Sequence, residues 1–249
     1  MSNPRWLVAI GVLLLLLLAL PTGLLGGDTW KEKAPPEWTE KDILRLLTKS
    51  PWAKSVSVWH VTGRRLEETH RDQRIYQDGP GEAPQRVIFE RVESEPEVVE
   101  ARYTVRWSSA ATLQRAWQRL RQLKAQALVD LHVSPAALLP GYYVLTVRVA
   151  KPPASPATHL FYGLPENELV AGARLRTNRK RTTAPARALP TGSGSGHAVS
   201  FYFPGQEGGQ RTVPPDTKWV EFVFKSKAGD TLKAKFKLKE MHTAGKPDY

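Results

Sequence analysis

The stretch Glu97-Val98-Val99-Glu100-Ala101-Arg102-Tyr103-Thr104-Val105-Arg106-Trp107 carries the clearest strand signal in the chain. Successive side chains of a strand point to opposite faces. Val99, Ala101, Tyr103, Val105 and Trp107 therefore share one side, and Glu100, Arg102, Thr104 and Arg106 share the other. The alternation predicts an amphipathic strand with one face buried and one face wet. The period then changes. Leu113, Trp117, Leu120, Leu123, Ala127, Leu128 and Leu131 recur at spacings of three and four. That pattern predicts one long helix from an N-cap at Ser109 to about His132, presenting a single apolar stripe. Arg115, Arg119, Gln122 and Gln126 fall largely on its other side.

Upstream, Thr39 and Asp42 have the spacing of a capping box ahead of Ile43, Leu44, Leu46 and Leu47. Ser50-Pro51 stops that helix, because a residue before proline is driven out of the helical region. Ser55–Val61 and Arg86–Val92 read as strands, with Gly63–Gln85 between them as a long loop or partly disordered insert. Downstream, Tyr142–Val149 reads as a strand, followed by a Pro-rich crossing over Lys151–Thr158. Further strands are expected near Leu169–Thr177, at His197–Phe203, Lys218–Lys227 and Thr231–Leu238, the last two joined through Ala228-Gly229-Asp230 as a hairpin. Asn178–Gly196 reads as flexible, since its Gly-Ser-Gly-Ser-Gly end can bury almost nothing. Strands, one long helix and more strands argue for α+β with antiparallel sheets and a mainly β C-terminal half, long enough for a small β-sandwich.

The first 27 residues set the compartment. Arg5 precedes an apolar run from Trp6 to Leu20. A signal peptide needs a basic start, a short apolar core and a small-residue cleavage site, whereas a membrane-spanning helix needs roughly 20 apolar residues. The run satisfies parts of both, so residues 1–27 are a signal peptide or an uncleaved N-terminal membrane anchor. Either reading places residues 28–249 in the periplasm or outside the cell, or tethers them at the membrane. A leucine helix packed within the chain's own fold is the remaining alternative. The chain has no cysteine. That excludes disulfides, thiolate metal sites and a cysteine nucleophile.

No catalytic motif is legible, and no cofactor or metal is expected. The histidines, His60, His70, His132, His159, His197 and His242, share no helical turn and do not alternate on one strand. Ser193, Ser195 and His197 sit near one another, but glycine occupies the position where a nucleophile elbow needs serine. Leu189-Pro190-Thr191-Gly192 lacks the residue a sortase signal has between proline and threonine. Glu90, Glu93, Glu95, Glu97 and Glu100 lack the glycine turn of a calcium loop and read as a solvated turn. Trp30, Trp38, Trp52 and Trp59 would serve either as a sugar-stacking platform or as pins between the first helix and the sheet.

The charge is more informative, at a formal +12. Arg174, Arg176, Arg179, Lys180, Arg181 and Arg187 form a basic run without an acid. Lys233, Lys235, Lys237 and Lys239 alternate with Ala234, Phe236 and Leu238. Such residues solubilise loops and keep edge strands from aggregating. They also suit an anion-binding surface for anionic lipid, an acidic envelope polymer or a protein partner. Nucleic acid is not expected as a partner of an exported body.

Trp38-Thr39-Glu40-Lys41-Asp42, Leu47-Thr48-Lys49-Ser50-Pro51-Trp52-Ala53-Lys54, Val220-Glu221-Phe222 and Lys233-Ala234-Lys235-Phe236-Lys237-Leu238-Lys239-Glu240-Met241 resemble segments of an uncharacterised family of exported bacterial proteins. The resemblance implies export and a single body, and assigns no site or activity. The expectation is a non-catalytic, exported or membrane-tethered envelope protein with basic binding surfaces. A secreted hydrolase with scattered acids, or a carbohydrate-binding module, are the alternatives.

Overall fold

The computed structural model describes residues 29–61, 66–68, 91–93, 98–123, 138–151, 160–191, 198–227 and 229–249. Residues 1–27, expected to be a signal peptide or membrane anchor, lie outside them. Among the described residues no helix is long and apolar enough to cross a membrane.

The architecture is α+β, with antiparallel sheets. A short helix α1 (Thr29–Glu32) and a 3-10 turn (Pro35–Glu37) lead to α2 (Glu40–Thr48). Thr39 and Asp42 close the expected capping box at α2: the Asp42 amide donates to the Thr39 hydroxyl and the Thr39 amide to the Asp42 carboxylate. Strands β1 (Ala53–Val61) and β4 (Val98–Trp107) pair, and between them the short strands β2 (Leu66–Glu68) and β3 (Arg91–Glu93) pair with each other. The expected loop over 63–85 thus contains a strand; its remaining residues, most of the expected Arg86–Val92 strand and the Pro-rich crossing at 152–158 lie outside the described residues.

Helix α3 (Ala111–Gln122) follows β4 and buries Leu113, Trp117 and Leu120 of the expected stripe, together with Ala116; Leu123 of that stripe is exposed, and the rest of the expected helix, to His132, lies outside the described residues. Its start differs from expectation. Ala110, not Ser109, is the N-cap and offers no side chain to the first amides. The Asp248 carboxylate does so instead, accepting from the Ala111 amide at 2.6 Å and the Thr112 amide at 3.1 Å. An anion at a helix N-terminus satisfies orphan donors and complements the macrodipole.

Strand β5 (Tyr142–Lys151) joins β4, and the helix α4 (Glu166–Gly172) then occupies part of the region expected as strand. The strand β6 (Ala173–Thr177) starts only where α4 ends. A second difference lies in 178–191, expected to be flexible as part of Asn178–Gly196: it holds β7 (Thr182–Thr183), paired with β6, and β8 (Arg187–Thr191), paired with β9 (Ala198–Pro204), while the Gly-Ser-rich residues 192–196 lie outside the described residues. The small hairpin β10 (Gln206–Glu207) and β11 (Gln210–Arg211) precedes the long hairpin β12 (Trp219–Lys225) and β13 (Thr231–Lys237). A last hairpin joins β14 (His242–Thr243) to β15 (Lys246–Pro247).

Two main sheets result, a five-stranded one in the order β1-β4-β5-β9-β8 and a four-stranded one in the order β13-β12-β6-β7. Their inner faces meet through aromatic rings. Phe201 of β9 lies 5.1 Å from Phe222 of β12, and Trp107 of β4 lies 5.4 Å from Phe236 of β13. Such tilted or edge-on pairs add about 0.5–1.5 kcal/mol each beyond the area they bury. The sandwich draws strands from both halves of the chain, so it is not a module of the second half.

The polar side of β4 is not wet along its length. Thr104 and Arg106 are buried, because α2 and α3 cover this end of the five-stranded sheet. The Arg106 Nε donates to the Leu47 carbonyl at 2.6 Å, and its guanidinium lies 5.8 Å from the Trp117 ring centre. Burial, with the like charge of Arg148 adding to it, pushes Arg106 down to about 9.

Candidate functional site

The outer face of the four-stranded sheet is assembled by register. Central β12 turns Val220, Phe222 and Phe224 inward, leaving Trp219, Glu221, Val223 and Lys225 on the outer side. Val223 pairs with Arg174 of β6 on one flank and Lys233 of β13 on the other. Glu221 is flanked in the same way by Arg176 and Lys235, and Trp219 pairs with Lys237. Two basic segments far apart in sequence thus become flanking columns on one sheet face. Lys233, Lys235, Lys237 and Arg176 are all exposed there. Strands about 4.8 Å apart with side chains repeating every ~7 Å along each strand set the cation lattice.

Several groups on this face have partners. Arg174 Nη1 donates to the Val170, Ala171 and Ala173 carbonyls, at 3.1, 3.0 and 2.6 Å, closing the C-terminal end of α4. A cation at that end suits the exposed carbonyls. Lys235 Nζ sits 4.1 Å from the Trp219 ring centre. Lys237 pairs with Glu240 at 3.2 Å, and Lys227 with Glu168 at 2.7 Å. Arg176, Lys225 and Lys233 make no ion pair among the described residues, and Glu221 is the carboxylate set between the columns. Arg174, Arg176, Lys225, Lys227 and Lys233 converge on a cleft of about 610 Å³ beside α4.

The β6–β7 turn behaves differently. Arg179 pairs with Asp216, while Arg181 donates to the Gln210 side chain at 3.0 Å and the Glu207 carbonyl at 3.1 Å. Arg187 pairs with Glu166 at 3.5 Å. Lys180 is exposed, with its backbone in the left-handed region at φ 59°. Of the expected anion-binding residues, the structure gathers Arg174, Arg176, Lys233, Lys235 and Lys237 and sets Arg179 and Arg181 on the neighbouring hairpin and loop.

A second basic cleft, of about 440 Å³, lies where α1 and α2 meet the start of β1. Its lining includes Lys31, Arg45, Lys49, Lys54 and Glu240. Lys54 donates to the Ser50 carbonyl at 3.3 Å. Burial lowers its pKa, an effect opposed by the Glu240 carboxylate and reinforced by the charge of Lys237. No local spacing announces this cleft, because Lys49 and Lys54 stand alone beside Pro51 and their neighbour Glu240 lies far downstream.

Each cleft contains a single carboxylate, Glu240 in one and Glu168 in the other, so neither brings together the acid pair a glycosidase needs. Among the described residues no three His, Cys, Asp or Glu side chains group as metal ligands. Of the histidines, His242 lies near the Lys239 carbonyl at 3.2 Å, whereas His70, His132, His159 and His197 fall outside the described residues. The early tryptophans form no exposed row. Trp38 and Trp52 are buried, their indole N–H groups donating to the Lys33 and Asp248 carbonyls, and Trp30 packs edge-on against Trp52. Trp59 alone of the four stands out, at 61 % exposure. No protein-family model matches the chain, and no curated protein or solved structure matches it either.

Proposed function

We propose that the protein is a non-catalytic component of the cell envelope, exported or tethered through residues 1–27, that binds an acidic envelope polymer on the outer face of its four-stranded sheet. One observation carries the reading. Arg176 lies on β6, which is hydrogen-bonded on both sides at this position, to Glu221 and to Thr182. Protection of a sheet edge accounts for lysines on β13, which is an edge strand, but not for an exposed arginine in the interior of the sheet. Cations from both columns converging around one cleft favour an anionic ligand.

The test is charge reversal on the face. Replacing Arg176, Lys233 and Lys235 by Glu should lower affinity for long-chain polyphosphate, used as a generic polyanion, by at least about tenfold at low salt. The dependence of log affinity on log salt should flatten by roughly one counterion for each cation removed. Circular dichroism should be unchanged, since all three side chains are exposed. Unchanged affinity with an unchanged salt slope disproves the reading.

A further inference from the structure

We infer that the ligand is a linear polyanion lying along β13, seated at one end in the cleft beside α4 and at the other in the cleft between α2 and β1. The inference rests on the reading above and extends it from one sheet face to a track. Lys233 lines the first cleft, and Lys235 and Lys237 continue from it at alternate positions of the same strand. Lys237 pairs with Glu240, and Glu240 lines the second cleft beside Lys54. One column of lysines therefore joins two basic clefts. From Lys233 to Lys237 is about 13 Å of strand, and a cleft extends the path at each end. An anion of one or two charges fills a single cleft, whereas the whole track needs a chain carrying many charges.

The track also distinguishes a polymer chain from a lipid surface. Surfaces that seat in a bilayer interface present aromatic and aliphatic side chains beside their cations. The exposed large apolar residues among the described ones are Trp59, Val98, Leu123, Leu138, Leu139 and Tyr162, and none of them lines either cleft. Trp219, the aromatic residue on the comb of cations formed by Arg176, Lys233, Lys235 and Lys237, lies under Lys235. Two recesses joined by a ridge of lysines suit a flexible chain better than a plane of headgroups.

The experiment uses the full chain held in phosphatidylcholine vesicles, titrated with tripolyphosphate and with long-chain polyphosphate. Long-chain polyphosphate should bind at least about tenfold more tightly per phosphate, because a second seat on one chain adds avidity. Lys49→Glu combined with Lys54→Gln should remove most of that gain while leaving tripolyphosphate affinity unchanged. Lys49→Glu alone, on an exposed side chain, should remove part of it and serves if the double variant fails to fold. If the second-cleft variants leave long-chain binding unaltered while the Arg176, Lys233 and Lys235 reversal abolishes it, the track is wrong and the sheet-face reading stands. If no variant changes binding of either probe, both fail. Displacement of long-chain polyphosphate on doping the vesicles with phosphatidylglycerol would also overturn the track, since the occupant would then be a lipid surface.

Discussion

Two sheet faces in this molecule carry arginines at alternating positions, and the two have opposite fates. On the outer side of the five-stranded sheet, Arg106 is 2 % exposed, enclosed by α2 and α3 and held by one backbone carbonyl and one indole ring. On the outer side of the four-stranded sheet, Arg176 stands in solvent beside Glu221. Local pattern fixes which side of a strand a residue occupies; what covers that side is decided by elements elsewhere in the chain. A cation under a cover is a packing element, and a cation without one is available to a ligand.

Truncation breaks the comparison most directly. Arg106→Ala should lower stability by about 2–4 kcal/mol, through a cavity against Trp117 and a Leu47 carbonyl left without its donor. Arg176→Ala should stay within about 0.5 kcal/mol of the parent. Arg106→Met sharpens the point. No carboxylate faces this guanidinium among the described residues, and its Nη1 has no partner there. An apolar chain of similar length should therefore restore stability to within about 1 kcal/mol of the parent or exceed it. Urea midpoints of the three variants check all of this.

The inner side of β4 supplies the next effect, through pH. Burial raises the Tyr103 hydroxyl to about 12, opposed by the Leu160 amide that donates to it at 3.1 Å, with the Asp230 charge adding slightly to the rise. The folded protein keeps this proton to about pH 12, whereas the unfolded chain releases it near pH 10. Between those values the unfolded chain binds fewer protons, so stability falls as pH rises, by about 2–3 kcal/mol from this one group. Tyr103→Phe should start about 1 kcal/mol less stable below pH 10, having lost the hydrogen bond, and should show a correspondingly shallower alkaline decline. Denaturant titrations from pH 9 to pH 12 separate the two. Tyr143, Tyr202 and Tyr249 are raised by burial too and should keep part of the slope in the variant.

Asp248→Asn comes third. It exchanges a carboxylate that accepts two α3 amides and the Thr243 hydroxyl for a neutral amide. A loss of about 1–2 kcal/mol is expected, of the size of a lost helix cap. Asp248→Ala should cost at least as much, and an unchanged thermal midpoint in both would show that water can cap α3 equally well.

These contacts also mark where reading the chain succeeds and where it stops. The side each β4 residue takes, the α3 stripe through Leu120 and the Thr39–Asp42 box depend on neighbours within a turn or two, and the structure has them; the wet face expected on β4 it has only in part, since Thr104 and Arg106 are buried. The α3 cap depends on a carboxylate 137 residues away, and no local spacing announces it. Leu169–Thr177 reads as strand, yet Pro165 followed by Glu166 and Glu168 is a helix-start signal, and residues 169–172 belong to the helix it opens. Arg187–Thr191 falls within the Asn178–Gly196 span read as flexible from its Gly-Ser-Gly-Ser-Gly end; the structure places it in β8, an edge strand, where the missing amide of Pro190 is tolerated. The cationic columns were legible as separate basic runs. Their union on one face required the β6-β12-β13 order, which is tertiary information, and so did the cover over Arg106.

The smallest effect probes what holds the exposed comb in shape. Lys235 lies over the Trp219 ring while its neighbour Lys233 faces the cleft. A cation over an indole at an exposed site contributes at most about 1 kcal/mol. Lys235→Ala and Trp219→Leu should therefore each shift the urea midpoint only slightly. Their effects on polyanion affinity should differ: Lys235→Ala removes a charge and lowers both affinity and salt slope, whereas Trp219→Leu frees the same ammonium and leaves the salt slope intact. If Trp219→Leu weakens binding as much as Lys235→Ala does, the indole is holding the ammonium in register, and the exposed face is preorganised in the same way as the buried one.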